Sequence, residues 1–217
     1  MNLILSNGIV AGGIHNCSFY ECNPPSRGNV RRRVLDKIYF SYNAIHDTVK
    51  VLAGKVRASG FDPDVIVAIG TGGFIPARIL KTYLKKPILT VGLVLYGDDN
   101  KSKQSPMILQ WIDEGEKRLT GKRILLVDEV DDSRITLGYC VRQLFRHSPA
   151  EIGIAVLHNK RKVKTGTIPA EVKLYVAGAE IDDRWICYPW DALDISEHEA
   201  LAQASMLQGS SRSTQAG

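Results

Sequence analysis

The sequence predicts an α/β fold, a mostly parallel, twisted sheet flanked by helices. Three observations lead to it. Short apolar runs rich in β-branched residues recur at 65–69 (VIVAI), 124–127 (ILLV) and 152–157 (IGIAVL), with the near-continuous hydrophobicity of strands covered on both faces. Segments with apolar residues three and four apart lie between such runs, the spacing of one helical face. Glycine-rich or acid-rich stretches directly follow two of the strands, where sheets of this kind place their ligand crevice.

The elements follow in order. "NAIHDTVKVLAGKVRASG" carries apolar residues at 45, 49, 52 and 56 and reads as a helix, capped by Asn43 and ended by Gly60. "DVIVAIG" (64–70) is a buried strand stopped by glycine. "FIPARILKTYLKK" is a helix with Pro76 in its first turn, where the missing N–H costs nothing. "PILTVGLVLY" is a second buried strand, and "GDDNKSKQSP" (97–106) is polar and breaker-rich, which reads as a mobile loop. "TGKRILLVDE" turns into a third strand. "TLGYCVRQLFRH" is a helix ended by Ser148-Pro149, "EIGIAVLHN" a fourth strand, and "AEVKLYVAGAEI" a further one. "DISEHEALAQAS" closes the body as a helix capped at Ser196.

At 217 residues the chain suits one domain with a substantial core. Residues 38–207 read as that domain. Residues 1–37 read as an extension, disordered or targeting, and 208–217 as a disordered polar tail. The formal charge is +5, but residues 1–37 hold five basic groups against two acidic ones, so most of the excess sits in the arm. The body is too mildly basic to suggest nucleic acid as a partner. No apolar stretch approaches the ~20 residues of a membrane span. Four cysteines at 17, 22, 140 and 187 show neither a CxxC pair nor zinc spacing, which fits a reduced, cytoplasmic protein.

Two segments carry chemistry. In "GTGG", Gly70, Gly72 and Gly73 let the backbone turn sharply and aim amides at an anion, and a helix starts at once behind them. A tight strand-to-helix turn without a ligand is the equal alternative. In "DEVDDSRIT", Asp128, Glu129, Asp131 and Asp132 crowd the end of a strand, followed by Ser133, Arg134, Ile135 and Thr136. An apolar strand ending in Asp-Glu also suits an NTPase, but the phosphate loop this needs is missing. In "GEKRLTGKR" five residues rather than four separate the glycines, and Arg123 stands where Ser or Thr is required. An EF-hand fails because Val130 takes the third ligand position. Paired carboxylates suit a vicinal diol, and hydroxyls with helix-start amides suit a phosphate. A ribose 5-phosphate has both groups, and a divalent metal would offset the carboxylate repulsion.

"ILLVDEVDDSRITL" resembles the signature of type I phosphoribosyltransferases. "IGTGGFIPARIL" is similar to their pyrophosphate loop, and "VLHNKRK" and "DRWICYPWD" resemble the purine end of the 6-oxopurine branch, nearest the fungal-type xanthine and hypoxanthine-guanine enzymes. Four segments agree in order across about 39–199. One departure is Arg134-Ile135, where the wider family often has Gly-Gly or Gly-Lys and the fungal branch has Arg followed by Thr.

The resemblance implies a sheet with a small purine-binding hood and transfer of the 5-phosphoribosyl group from phosphoribosyl pyrophosphate to a purine base, with Mg²⁺. It implies that Gly70, Thr71, Gly72 and Gly73 hold pyrophosphate, and that the Gly70–Thr71 peptide is of the cis kind such loops often have. Asp128 and Glu129 would hold the ribose hydroxyls or metal, with Asp191 as a further metal ligand. Asp132, Ser133, Arg134, Ile135 and Thr136 would form the 5-phosphate loop, Asp132 also acting as general base near purine N7. Lys160, Trp185, Ile186 and Asp191 would meet the base, and the loop 97–110 would close over the site. By position alone, Lys160 reads first as a solvated lysine and Trp185 as a core residue, and Asp191 equally as a charge at the start of the last helix. A homodimer or higher homo-oligomer is expected. Xanthine is the favoured base, hypoxanthine or guanine the alternative, and a non-catalytic sensor of phosphoribosyl pyrophosphate the rival from another class.

Overall fold

The computed structural model describes residues 37–98 and 101–213, so the N-terminal arm and the last residues of the tail lie outside the described residues. A six-stranded sheet forms the centre, built from β2 (Val65–Gly70), β3 (Ile88–Asp98), β4 (Lys101–Gln110), β5 (Arg123–Asp131), β6 (Glu151–Arg161) and β7 (Leu174–Asp182). Its order is β4-β3-β2-β5-β6-β7, parallel throughout except for the antiparallel β3–β4 pair. A separate two-stranded sheet joins β1 (Lys37–Tyr39) to β8 (Trp185–Cys187).

Each central strand alternates between two cores. Val65, Val67 and Ile69 face one side with Ile124, Leu126, Ile152 and Ile154, while Ile66, Ala68, Leu125, Val127 and Ala155 face the other. The first side is covered by α4 (Ile135–Phe145) through Leu137, Cys140, Val141 and Leu144. The second is covered by α1 (Tyr42–Ala58) and α2 (Phe74–Leu84), through Ile45, Val49, Leu52 and Val56 and through Ala77 and Leu80. This double coverage is why the strands read as unbroken apolar runs. A short α3 (Gly115–Leu119) precedes β5, and α5 (Ile195–Ser213) packs on β1 and runs past residue 207, where the sequence suggested a tail.

Three expectations are corrected. The loop read over 97–106, and the closing loop over 97–110, give way to β4, which hairpins onto β3 over residues 101–110. Its polar start hid the strand, and Pro106 is tolerated because β4 lies at the sheet edge. The cap of α1 is Ser41, whose Oγ accepts the Ala44 amide at 3.1 Å, not Asn43. The cap of α5 is Asp194, whose Oδ1 accepts the amides of Ser196 and Glu197 at 2.9 and 3.0 Å, so Ser196 is itself capped. Both errors placed the cap inside the helix, although a capping side chain reaches forward two or three residues. Gly60 does follow α1, at φ +75°.

The chain leaves β2 toward β3 on one side and returns to β5 on the other, so the carboxyl ends of β2 and β5 flank a switch point. At the opposite ends, Asp64 accepts the Arg123 amide at 2.8 Å and its guanidinium at 2.9 Å, which ties β2 to β5. Arg123 holds the Asp64 carboxyl down to about 2. Because the folded value is depressed, this stability is present above the ordinary carboxylate range and lost as pH falls through it. Asp64→Asn should lower unfolding free energy at neutral pH by on the order of 1 kcal/mol, a figure discounted for solvent screening of a side chain 35% exposed. Urea titrations at several pH values check it: the gap to the parent should close toward about pH 2, and a pH-independent gap would reject the charge argument.

Candidate functional site

A cavity of about 510 Å³ opens where the switch point predicts, between the ends of β2 and β5 and beneath β8 and the 3₁₀ turn Pro189–Asp191. It collects Gly70, Thr71 and Gly72, then Asp128, Glu129, Asp132, Ser133, Arg134 and Thr136, and from a third direction Lys160, Trp185, Ile186 and Asp191. Gly73 and Ile135 are the two expected site residues that do not line it.

Gly73 lies behind the loop. Its amide donates to the Ile69 carbonyl at 2.9 Å, so it is spent within the turn and not aimed at an anion. A Cβ there would lie 2.6 Å from that carbonyl oxygen and 2.7 Å from that of Val127. Gly73 is therefore a packing glycine that seats the start of α2 on the strands. Gly72 has a different reason. A Cβ on it would stand 2.1 Å from the Glu129 carboxyl carbon. The glycine loop and the acid pair thus interlock. The Gly70–Thr71 peptide is cis.

The acids have separate environments. Asp128 Oδ1 accepts the Glu129 amide at 2.9 Å, and burial, followed by the Glu129 charge, pushes its pKa well up. Glu129 Oε2 accepts Trp190 Nε1–H at 3.1 Å, and burial with the nearby Asp191 charge raises it to about 7. For Asp132, burial pushes upward, but Lys162 at 2.7 Å and Lys160 at 3.3 Å outweigh it and hold the carboxyl below its ordinary range. Asp131 turns away from the cavity and is fully buried.

At the other end, Lys160 is buried on β6, which decides against a solvated lysine, and Trp185 is 48% exposed, which decides against a core tryptophan. Behind them Tyr188 and Trp190 stack with ring centroids 4.5 Å apart. The Tyr188 hydroxyl donates to the Glu129 carbonyl at 3.2 Å and meets His158 Nδ1 at 2.9 Å. Burial lowers that imidazole to about 4, so it is neutral. Tyr188, Trp190, Lys162 and Asp183 were not picked out from the sequence as site residues. The aromatic pair had a signal, since both belong to the quoted "DRWICYPWD". The lysines and Asp183 had none, because their pairing joins two separate strand ends.

Among the described residues, no group of three His, Cys, Asp or Glu side chains forms a metal set by itself. The carboxylates present instead suit Mg²⁺, which is commonly held by one or two carboxylates together with substrate phosphates. No helix of the described residues is long and apolar enough to cross a membrane.

The interlock at Gly72 is testable. Gly72→Ala should cost about 1–3 kcal/mol of unfolding free energy by overpacking. Glu129→Ala in the same chain should recover much of that loss, giving a coupled double-mutant cycle. Additive losses in chemical denaturation would show that the two side chains do not compete for space.

Comparison with known proteins agrees with this geometry. The phosphoribosyl transferase domain family model matches residues 39–184. A hypoxanthine-guanine phosphoribosyltransferase of Schizosaccharomyces pombe is 42% identical over 193 residues, covering 76% of this chain and 93% of that protein. Xanthine phosphoribosyltransferase 1 of Saccharomyces cerevisiae is 39% identical over 201 residues, covering 78% and 96%. Among solved structures, a hypothetical protein from Neisseria gonorrhoeae with bound ppGpp superposes with a TM-score of 0.74 at 45% identity, covering 78% of this chain and 97% of that one.

Proposed function

The chain belongs to the phosphoribosyltransferase family, and we propose that it is a purine salvage enzyme. It transfers the 5-phosphoribosyl group from phosphoribosyl pyrophosphate to a 6-oxopurine, with xanthine preferred, and yields the nucleoside 5′-monophosphate and pyrophosphate. The observation that carries this reading is the convergence on one cavity of an acid pair, a hydroxyl-rich helix start, a glycine loop and a lysine–tryptophan end. These four features match a diol, a phosphate, a pyrophosphate and a flat oxo-base.

The chemical task is to stabilise positive charge building on the anomeric carbon while pyrophosphate departs with negative charge. Amides of Thr71 and Gly72, two residues lining the cavity, would receive the leaving group. Asp128 and Glu129 would hold the ribose hydroxyls, and they, with Asp191 at the rim, are the groups available to Mg²⁺. That ion would neutralise charge on the departing pyrophosphate. Ser133, Thr136 and the amides opening α4 would seat the 5-phosphate. Lys160 would donate to the 6-oxo group, and Trp185 would stack on the base, worth ~1–3 kcal/mol.

Asp132 is the candidate base for the N7 proton. Its ion pairs keep it ionised, hence ready to accept a proton, but weakly basic. An entering base that draws Lys160 onto its oxo group would remove one of those cations and raise the basicity as the proton moves. Asp132→Asn should lower the single-turnover rate by ~10²-fold or more with phosphoribosyl pyrophosphate binding largely kept. An unchanged rate would remove Asp132 from this role.

A cytoplasmic setting is supported by Cys140, a buried free thiol. A homo-oligomer is supported by Met107, Ile108 and Leu109, which the edge strand β4 leaves exposed. The second reading is a non-catalytic protein that senses phosphoribosyl pyrophosphate or a phosphorylated nucleotide, favoured by the ppGpp bound in the Neisseria neighbour. One experiment tests both: pyrophosphate release with xanthine, hypoxanthine and guanine, in Mg²⁺ and in chelator. The bases differ only at C2, and a pocket built to donate to a C2 oxygen can discriminate by ~10⁴-fold. Turnover in Mg²⁺, lost in chelator and highest in kcat/KM for xanthine, is the expected result. Faster hypoxanthine or guanine turnover rejects the xanthine preference alone, and no turnover with any base favours the sensor.

A further inference from the structure

Arg134 stands in the turn between β5 and α4, and the structure gives it an unusual backbone. It sits at φ +71°, immediately before α4, in the left-handed region. That region costs a non-glycine residue the equivalent of about tenfold in an equilibrium. Something must hold it there.

The side chain supplies the hold. Arg134 Nε and Nη2 donate to one oxygen, Asp131 Oδ2, at 2.9 and 2.7 Å. The Tyr175 hydroxyl on β7 donates to the same oxygen at 2.6 Å, and the guanidinium carbon lies 5.1 Å from the centre of the Tyr175 ring. Asp131 is fully buried, so this charge-assisted pairing is poorly screened. Behind the loop, Lys164 Nζ donates to the carbonyls of Asp131, Asp132 and Lys160 at 2.6, 3.1 and 2.8 Å. Gly166 donates its amide to the Ser133 carbonyl at 2.9 Å and approaches so closely that a Cβ would lie 2.6 Å from the Arg134 carbonyl carbon and the Ile135 nitrogen.

We propose that Arg134 is a positioning residue: its guanidinium is anchored on buried Asp131 and Tyr175, and this anchor fixes the left-handed turn that presents Ser133 and Thr136 to the 5-phosphate. The proposal rests on the phosphoribosyltransferase reading for the identity of that ligand. Ile135 does not line the cavity, and its amide meets Ser133 Oγ at 3.4 Å, so no hydroxyl is needed there.

A glycine takes the left-handed turn freely, whereas alanine has neither that freedom nor the anchor. The test compares Arg134→Ala, Arg134→Gly and Asp131→Asn with the parent in KM for phosphoribosyl pyrophosphate, kcat and melting temperature. Arg134→Ala should raise KM about tenfold with kcat within about threefold, a split that general destabilisation does not produce. Arg134→Gly should fall between alanine and the parent, and Asp131→Asn should move KM in the same direction as Arg134→Ala. Calorimetric titration with ribose 5-phosphate, which needs no turnover, should rank the Arg134 variants in the same order. A parent-like alanine variant overturns the anchor. A glycine variant as poor as alanine, or poorer, overturns the backbone role and assigns the guanidinium directly to the phosphate. A parent that turns over none of the three bases defeats the enzymatic reading, and the ribose 5-phosphate ranking still decides the loop.

Discussion

Four carboxylates within five residues at the end of one strand set the problem that the rest of this site solves. Like charges about 4 Å apart repel by ~4 kcal/mol at the effective dielectric of a partly buried site. The fold answers by giving each acid a different neighbour. Asp131 is turned inward onto Arg134 and Tyr175. Asp132 is drawn outward to Lys160 and Lys162. Glu129 is held by the Trp190 indole, and Asp128 by a backbone amide. Among the described residues the last two have no cationic partner, and with Asp132 they face the cavity. Burial and neighbouring carboxylates raise both carboxyls, so a cation-bearing ligand would favour their ionised forms.

That separation needs the two neighbouring strands to end at the same level. Val67 pairs with Leu126 and Ala68 with Val127, a register that carries Gly70 out beside Glu129. Room for both exists because Gly72 has no side chain where the Glu129 carboxyl lies, and because Gly73 lets α2 start directly over the strands. The glycines of "GTGG" therefore divide their work. Gly72 fits an acid and Gly73 fits two carbonyls.

Much of this was legible in sequence for a physical reason. Strands buried on both faces must be apolar at every position, so 65–69, 124–127 and 152–157 announced themselves, as did the switch-point motifs that follow them. What was not legible depends on side chains meeting across the fold. Nothing near Asp131 in sequence reveals Tyr175 or Lys164, and nothing local shows that Arg134 bends back rather than forward. β1 and β8 are too short to show any period, and β4 hid behind a polar, proline-containing start. Gly73 was misassigned because a glycine required for close packing and one required for an exposed amide look the same in one dimension.

The two ends of the cavity are built by different means. The phosphate side rests on the central sheet, and its shape is fixed by buried, charge-assisted contacts from β5, β7 and the loop after β6. The base side hangs on the small β1–β8 sheet, held by the α5 residue His198 against the Phe40 carbonyl at 2.9 Å and by Phe40 stacked on His158 at 4.2 Å. Ile186 packs against the core and Cys187 is fully buried, while Tyr188 and Trp190 reach back to Glu129. Trp185, 48% exposed, is the residue of 185–187 whose side chain is least bound into that core. Changes at 188 or 190 would be transmitted to Glu129 through its carbonyl and its carboxylate. On the proposed function, the base end is therefore coupled to the acid pair through Tyr188 and Trp190, and Trp185 is the position of that end able to vary with least effect on it.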